Sequence, residues 1–346
     1  MRNLINPRKE IISFKYAVII GVAIILFTLL SLFINTNGVI NDYLSDIITP
    51  IVGTLSVLSL IYAAKRSQIY GRRIYIAWIF IALALTQYVI GDVLWAFMEL
   101  VWNVKPFPSI ADIFYLLYYF FFIIGILMMV RPLDSPEKFF KTILDTLIVI
   151  ISAILIFWNT ILSIFLISHR EITWALSLSL YYIIRDFVIF MILLNLTLRK
   201  VNKCGRSPLL LLVASILVLF ITDSIFSYIF LQGHYKAGNF VDMGWLIFYI
   251  LMGLAGILQG NIATVDTANS ASLVQKPIKY MILSFPVIWI TLSIFMLLWG
   301  YYNLSESNFY IIQIKVLIFF ILIIVRHTIT LNENWRFKLK IKLGKN

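Results

Sequence analysis

Ten long apolar segments constrain this chain more than any other feature of its sequence. A helix that crosses a bilayer needs about 20 mainly apolar residues, which each segment approaches or exceeds. The segments are 15–34, 43–64, 74–101, 109–130, 141–167, 173–198, 207–231, 241–259, 278–300 and 309–327. They are too long and alternate too little to be strands of a membrane barrel. The sequence therefore predicts an all-α integral membrane protein with about ten transmembrane helices.

The composition excludes the main alternatives. Of the 346 residues, 62% are hydrophobic and 13% are charged, and a soluble domain cannot hide that much apolar surface. The net charge of +12 would suit a nucleic-acid partner, but no nucleic-acid-binding motif is present. We therefore expect the lipid bilayer as the partner, and no nucleic acid.

Basic residues predict the orientation of the helices. Every second connection is rich in Lys and Arg, as at Lys65–Arg73 and at 199–206, and so are both termini. The alternate connections hold only Lys105, Arg170 and Lys236. Because basic loops stay inside, both termini are predicted to be cytoplasmic in a multi-pass protein of the cytoplasmic membrane.

The sequence also contains a candidate internal duplication. The segment GDVLWAF (91–97) aligns with TDSIFSY (222–228), and ADIFYLLYYFFFIIGIL aligns with VDMGWLIFYILMGLAGIL. This predicts two parallel four-helix repeats, residues 1–132 and 133–260, followed by a terminal helix pair with a basic cytoplasmic tail, residues 261–346. The alternative is chance similarity between helices rich in Ile and Leu.

Two acids in the matched segments are predicted to start helices. Ser109 and Asp112 form a Ser-x-x-Asp pattern before an apolar run, which is typical of a capping box. Asn239 and Asp242 repeat the pattern with Asn as the cap. We interpret all four as structural caps, with each Ser or Asn oxygen accepting from the N–H three residues on.

Two further acids, Asp92 and Asp223, lie near the outer edge of the apolar core, where a charged side chain costs free energy. Tyr88, Trp95 and Glu99 share the helix face of Asp92 because they lie four residues before it and three and seven after it. The hypothesis is a ligand-binding site of Tyr88, Asp92, Trp95, Glu99 and Asp223. We expect the first copy to dominate it, since the second has phenylalanine at the positions of Trp95 and Glu99.

Three charges lie deeper. Arg185 and Asp186 are predicted in mid-helix, and Lys315 lies in the last apolar segment. Adjacent helical residues point about 100° apart, so Arg185 and Asp186 are expected to seek other helices. The three are predicted to form an intramembrane charge network with Asp92 and Asp223, although salt bridges that only fix helix packing are an equal alternative.

Catalytic patterns are weak. The three histidines have no metal-ligand spacing, and no nucleotide-binding or nucleophile motif occurs, so no metal, no cofactor and no enzymatic activity are expected. Asp42 and Asp46 in the first outer loop are of the kind that membrane glycosyltransferases use. An enzyme acting on lipid-linked substrates is therefore one alternative.

The stretch GDVLWAFMEL…PFPSIADIFYLLYY resembles membrane regions of prokaryotic signalling proteins that precede PAS, histidine-kinase or GGDEF diguanylate-cyclase domains. The resemblance covers about residues 45–260, and its matching residues are Gly91, Asp92, Trp95, Glu99, Pro106, Pro108, Asp112 and Tyr115. It implies a sensory input module. At IIRD the chain departs from the Pro-Gly-type kink of that family, and it leaves no room after the last apolar segment for an effector domain.

These features predict a non-enzymatic, sensor-like membrane protein with an outward-facing polar and aromatic pocket. Its expected partner is a separate cytoplasmic kinase or cyclase, unless the chain is a truncated relative. A transporter of a small solute or ion that uses the intramembrane Asp, Arg and Lys residues is the second reading.

Overall fold

The structure is a computed structural model that describes residues 12–34, 39–104, 107–129, 173–198 and 206–263, with isolated positions between 294 and 328. The chain divides into two compact units. The first consists of Met1–Arg131 and Glu171–Leu273 and holds every feature discussed below. Of the second, Pro132–Arg170 and Val274–Asn346, the described positions are isolated helical residues.

The described part of the chain is helical and contains no strand, as the apolar segments predict. Seven α-helices are described: α1 Phe14–Ile34, α2 Val39–Ser67, α3 Arg72–Leu100, α4 Ala111–Met129, α5 Trp174–Leu198, α6 Arg206–Leu231 and α7 Asp242–Ile262. A 3-10 turn at Gln68–Tyr70 joins α2 to α3. Six of the helices, all except α5, are long and apolar enough to cross a membrane.

The predicted segments at 141–167, 278–300 and 309–327 lie outside the described residues, apart from isolated helical positions in the last two. The count of ten spans therefore stays a prediction, as do the three predicted domains. Two placements differ from expectation: Asp42 and Asp46, predicted in an outer loop, both lie inside α2.

Six helices of the first unit surround one core. In the order α5, α6, α7, α2, α3 and α4, each helix packs on the next. The hydroxyl of Tyr182 in α5 donates to Asp112 in α4, which closes the order into a ring. Fully buried side chains from opposite members, such as Phe122 of α4 and Phe248 of α7, belong to the same apolar cluster. The helix α1 packs on the outside, against α7.

The contact between α2 and α7 depends on small residues. A Cβ added at Gly256 would lie 2.7 Å from the backbone carbonyl group of Ser59, so only glycine allows this approach. One turn away, the Ser56 hydroxyl donates to the backbone oxygen of Tyr249 at 2.7 Å. Close backbone approach and an interhelical hydrogen bond are the usual means of holding helices together in lipid. We call this contact the α2–α7 seam.

Candidate ligand-binding cavity

A cavity of about 80 Å³ lies inside the ring, at the end where α3 and α6 finish and α4 and α7 begin. One water needs about 10–15 Å³ of such space, so the cavity accommodates several waters or one small molecule. Its lining residues are Ser45, Asp46, Thr49, Pro50, Tyr88, Asp92, Trp95, Phe107, Asp112, Tyr115, Tyr182, Arg185, Asp223, Phe226, Tyr235, Asp242 and Trp245. Five of these side chains are carboxyls, one is a guanidinium and eight are aromatic.

Asp92 ties three helices together. Its Oδ1 accepts a hydrogen bond from the Tyr115 hydroxyl of α4 at 2.9 Å, and its Oδ2 accepts from the Tyr249 hydroxyl of α7 at 2.7 Å. The neighbouring Gly91 makes room for this arrangement, because a Cβ there would lie 2.5 Å from the Tyr115 ring. Both of these donors are neutral, so they orient the carboxyl group without balancing a charge on it.

Asp223 occupies the matching position in α6. Its Oδ1 accepts from the indole N–H of Trp245 in α7 at 2.9 Å. Tyr115 and Trp245 each lie three residues after the first acid of their helix, Asp112 and Asp242, so the two halves pair acid and aromatic residue in the same way. The sequence alignment places the acids opposite one another but does not reveal these donors.

Asp223 also contacts the carboxyl group of Asp186 in α5. Asp186 is fully buried, and its Oδ2 has no hydrogen-bond donor in the described part of the protein. A hydrogen bond between two carboxyl groups requires a proton on one of them, because an ionised carboxylate only accepts.

Arg185 corrects one expectation. Its Nη2 lies 3.2 Å from Asp186 Oδ1, so the adjacent residues do form an ion pair, because the long arginine side chain can fold back along its own helix. Both residues also reach other helices, as expected. The guanidinium carbon lies 3.2 Å from the ring centre of Tyr119 in α4 and 4.4 Å from that of Tyr182.

Asp112 acts as a helix cap and also lines the cavity. Its Oδ2 accepts from the Ser109 backbone N–H at 2.6 Å, and the Ser109 hydroxyl accepts from the Ala111 N–H at 3.2 Å. The Ser109 bond therefore reaches two residues on, not the predicted three. Asp112 Oδ1 accepts from Tyr182, and the side chain faces the cavity. The sequence predicts the cap but not the hydrogen bond from Tyr182.

Asp242 has more donors. Its Oδ2 accepts from the Gly238 N–H at 2.7 Å and from the Ser45 hydroxyl of α2 at 2.8 Å, and its Oδ1 accepts from the Tyr235 hydroxyl at 3.0 Å. Burial, and then the nearby Asp242, raise the pKa of Tyr235 well above its usual value, so this loop tyrosine stays a donor.

The prediction that the Asn239 side chain caps α7 is wrong. Its side-chain oxygen accepts from the adjacent Phe240 N–H at 2.6 Å, and no side chain caps the first turn of α7. Gly238, at φ 72°, instead turns its own N–H towards Asp242. In both places the acid accepts a hydrogen bond from a backbone N–H that precedes it, four residues earlier at Asp242 and three residues earlier at Asp112.

The proposed ligand-binding residues are largely brought together. Four of them line the cavity: Tyr88, Asp92, Trp95 and Asp223. Glu99 is not among the lining residues, and its carboxyl group accepts a hydrogen bond from the indole N–H of Trp95 at 2.7 Å. Ten of the lining residues belong to the first predicted repeat and seven to the second, and the expected dominance of the first copy in ligand binding stays a prediction. Lys315 lies outside the described residues, so its place in the charge network stays a prediction.

No protein-family model, curated protein or solved structure matches the chain. In the described ranges, no group of three His, Cys, Asp or Glu side chains is arranged to hold a metal ion. The geometry of the cavity is therefore the basis for a functional proposal.

Proposed function

We propose that this chain is a non-enzymatic, sensor-like protein of the cytoplasmic membrane whose input site is the central cavity. One observation carries the proposal: Asp92 is hydrogen-bonded to α4 and α7 at once, while it faces a cavity of ligand size. A ligand that competes for this carboxyl group changes the contacts of three helices together. Such a coupling of one small site to several helices is what a signal-input module needs.

The proposed architecture has ten spans, with two parallel four-helix repeats and a terminal pair. The matching pairs Asp92–Tyr115 and Asp223–Trp245, at equivalent places in consecutive helices, support the duplication. The cavity then lies on an approximate twofold axis at the outer side of the membrane. The opposite end, with Lys65, Arg66, Arg72 and Arg73, lies at the cytoplasm, where a separate kinase or cyclase would respond.

The test has two stages, both on the full chain reconstituted in lipid nanodiscs. A library of small molecules is first screened for compounds that stabilise the wild type against heat but do not stabilise Asp92→Asn. Hydrogen exchange of the turn at residues 65–73 is then measured with and without such a compound. The sensor proposal expects a change of exchange at this remote turn. A compound that binds through Asp92 and leaves the turn unaffected contradicts it.

A transporter is the second candidate, and the contact of Asp186 with Asp223 beside Arg185 favours it. Buried carboxyl groups that exchange a proton are common in transporters that couple solute movement to protons. Uptake of the labelled compound by proteoliposomes, abolished in Asp223→Asn, would establish transport. No uptake above that of protein-free vesicles is the result that the sensor proposal expects.

A further inference from the structure

We propose that the cavity binds a small organic cation, with its ammonium group near Asp92 and Asp223 and its carbon atoms against the aromatic wall. This inference rests on the proposed function, because it assigns a ligand class to the same input site.

The first step is the balance of charge. Among the residues that the structure describes, five carboxyl groups and one cation, the guanidinium of Arg185, line the cavity. That guanidinium contacts Asp186 and the ring of Tyr119 through part of its surface, while its Nε and Nη1 have no hydrogen-bond partner in the described part of the protein. The hydroxyl and backbone N–H groups that donate to Asp92 and to Asp242 are all neutral. Carboxyl groups that are held away from bulk water without a cation either take up a proton or favour a positively charged occupant.

A second observation is independent of that balance. Asp186 is 0% exposed and touches two residues of the cavity wall, Arg185 and Asp223, yet its Oδ2 has no hydrogen-bond donor in the described part of the protein. A buried acceptor without a donor costs free energy until a donor arrives. A proton shared between the two carboxyl groups supplies that donor, and an ammonium group that meets Asp223, which lines the cavity, adds a positive charge beside the pair.

The aromatic wall selects an organic cation. Eight of the lining side chains are aromatic, and they include the indoles of Trp95 and Trp245. Ring faces attract ammonium groups, and ring edges and faces also bury the attached methyl or methylene groups. The protein already uses this interaction, because the Arg185 guanidinium stacks over Tyr119 and Tyr182. A fully hydrated metal ion gains little from such a wall.

The test compares a cation with its neutral isostere. Choline, ethanolamine and 3,3-dimethylbutan-1-ol, in which carbon replaces the choline nitrogen, are titrated calorimetrically into the full chain in nanodiscs. We expect at least one of the two cations to bind about tenfold or more tightly than the neutral alcohol. Because this comparison uses the wild type, it does not depend on how well a variant folds.

Variants then locate the site. Asp92→Asn keeps the shape of the side chain and removes its charge, and it should weaken binding of the cation about tenfold or more. Thr54→Val, on the exposed face of α2 and outside the cavity, is the matched control and should leave binding unchanged.

Three results overturn the inference. They are equal binding of the neutral alcohol, no binding of either cation at millimolar concentration, and cation binding that survives Asp92→Asn. If a neutral or anionic compound from the library binds through the cavity instead, the ligand class is wrong while the proposed function stands. If no compound binds through Asp92, both fail.

Discussion

In the first half of the ring Asp92 meets two tyrosine hydroxyls, whereas in the second half Asp223 meets an indole N–H and another carboxyl group. The helices place both acids in the same way, with an aromatic donor from the next helix. The second half, however, carries its own cation and an additional acid at Arg185 and Asp186. The difference teaches that the backbone fixes where a carboxyl group stands, while a few side chains decide whether its charge is balanced from within.

Removing the cation should give the largest effect. Arg185→Met leaves Asp186 and Asp223 buried without their positive neighbour, and breaking a buried ion pair in this way costs about 3–5 kcal/mol of unfolding free energy. Unfolding of the purified chain in mixed detergent micelles measures the loss. The double variant Arg185→Met/Asp186→Asn is the control and should recover part of the stability. A single variant as stable as the wild type would show that Arg185 balances no charge.

The two helix-starting acids come next. Loss of a hydrogen bond to a charged group costs about 1.5–3 kcal/mol. Asp242 accepts three hydrogen bonds in the described part of the protein, and Asp112 accepts two. We therefore expect Asp242→Ala to lower the unfolding free energy more than Asp112→Ala in the same assay. The control Ser45→Ala removes one of the three donors and should account for part of the difference. The reverse order would mean that the contact with Tyr182 dominates.

A smaller effect separates the donors of the two inner acids. Tyr249→Phe and Tyr115→Phe each remove one hydroxyl from Asp92, at about 1 kcal/mol, and the double variant should cost more than the sum because the carboxylate then loses both donors. Trp245→Phe removes the corresponding donor from Asp223. A double-mutant cycle by thermal unfolding gives the coupling, and additivity of the two tyrosine changes would argue against a shared role at Asp92.

The smallest effect is expected where the first half is made to resemble the second. Trp95 aligns with Phe226, and Trp95→Phe removes the bond to Glu99, which is only partly buried. We expect a loss of about 0.5–1.5 kcal/mol. Glu99→Gln, which keeps an acceptor, serves as the control. A larger loss of unfolding free energy would mean that the bond between Trp95 and Glu99 stabilises the fold more than a partly buried hydrogen bond is expected to.

The sequence predicts the helices well because lipid leaves few alternatives to a helix. The ends of α1, α3, α4, α5, α6 and α7 lie within a few residues of the apolar segments. It also identifies the acids of the cavity, because Asp92 and Asp223 have no other explanation in an apolar helix. The capping pattern accounts for Asp112 and Asp242 as structural residues, so the sequence gives no reason to expect that they also line the cavity.

The missed residues were missed for physical reasons. Tyr249 and Trp245 are aromatic residues in helices full of aromatic residues, and nothing in the sequence marks the ones whose hydroxyl or indole group donates to a carboxylate. The family resemblance includes Tyr115 but does not indicate its hydrogen bond to Asp92. Tyr182 and Ser45 reach acids of the opposite half, so their contacts depend on how the ring closes. The Arg185–Asp186 pair depends on the bending of a long side chain, which helix geometry alone does not predict.

The α2–α7 seam has a consequence for biosynthesis. Ser56 and its partner Tyr249 are separated by 193 residues, so α2 leaves the ribosome long before the helix that covers its small residues exists. At about 5–20 residues per second, this interval lasts about 10–40 s. During that time the face of α2 that carries Ser56 lies in the translocon or the bilayer without α7. The cavity therefore forms only after α7 is inserted.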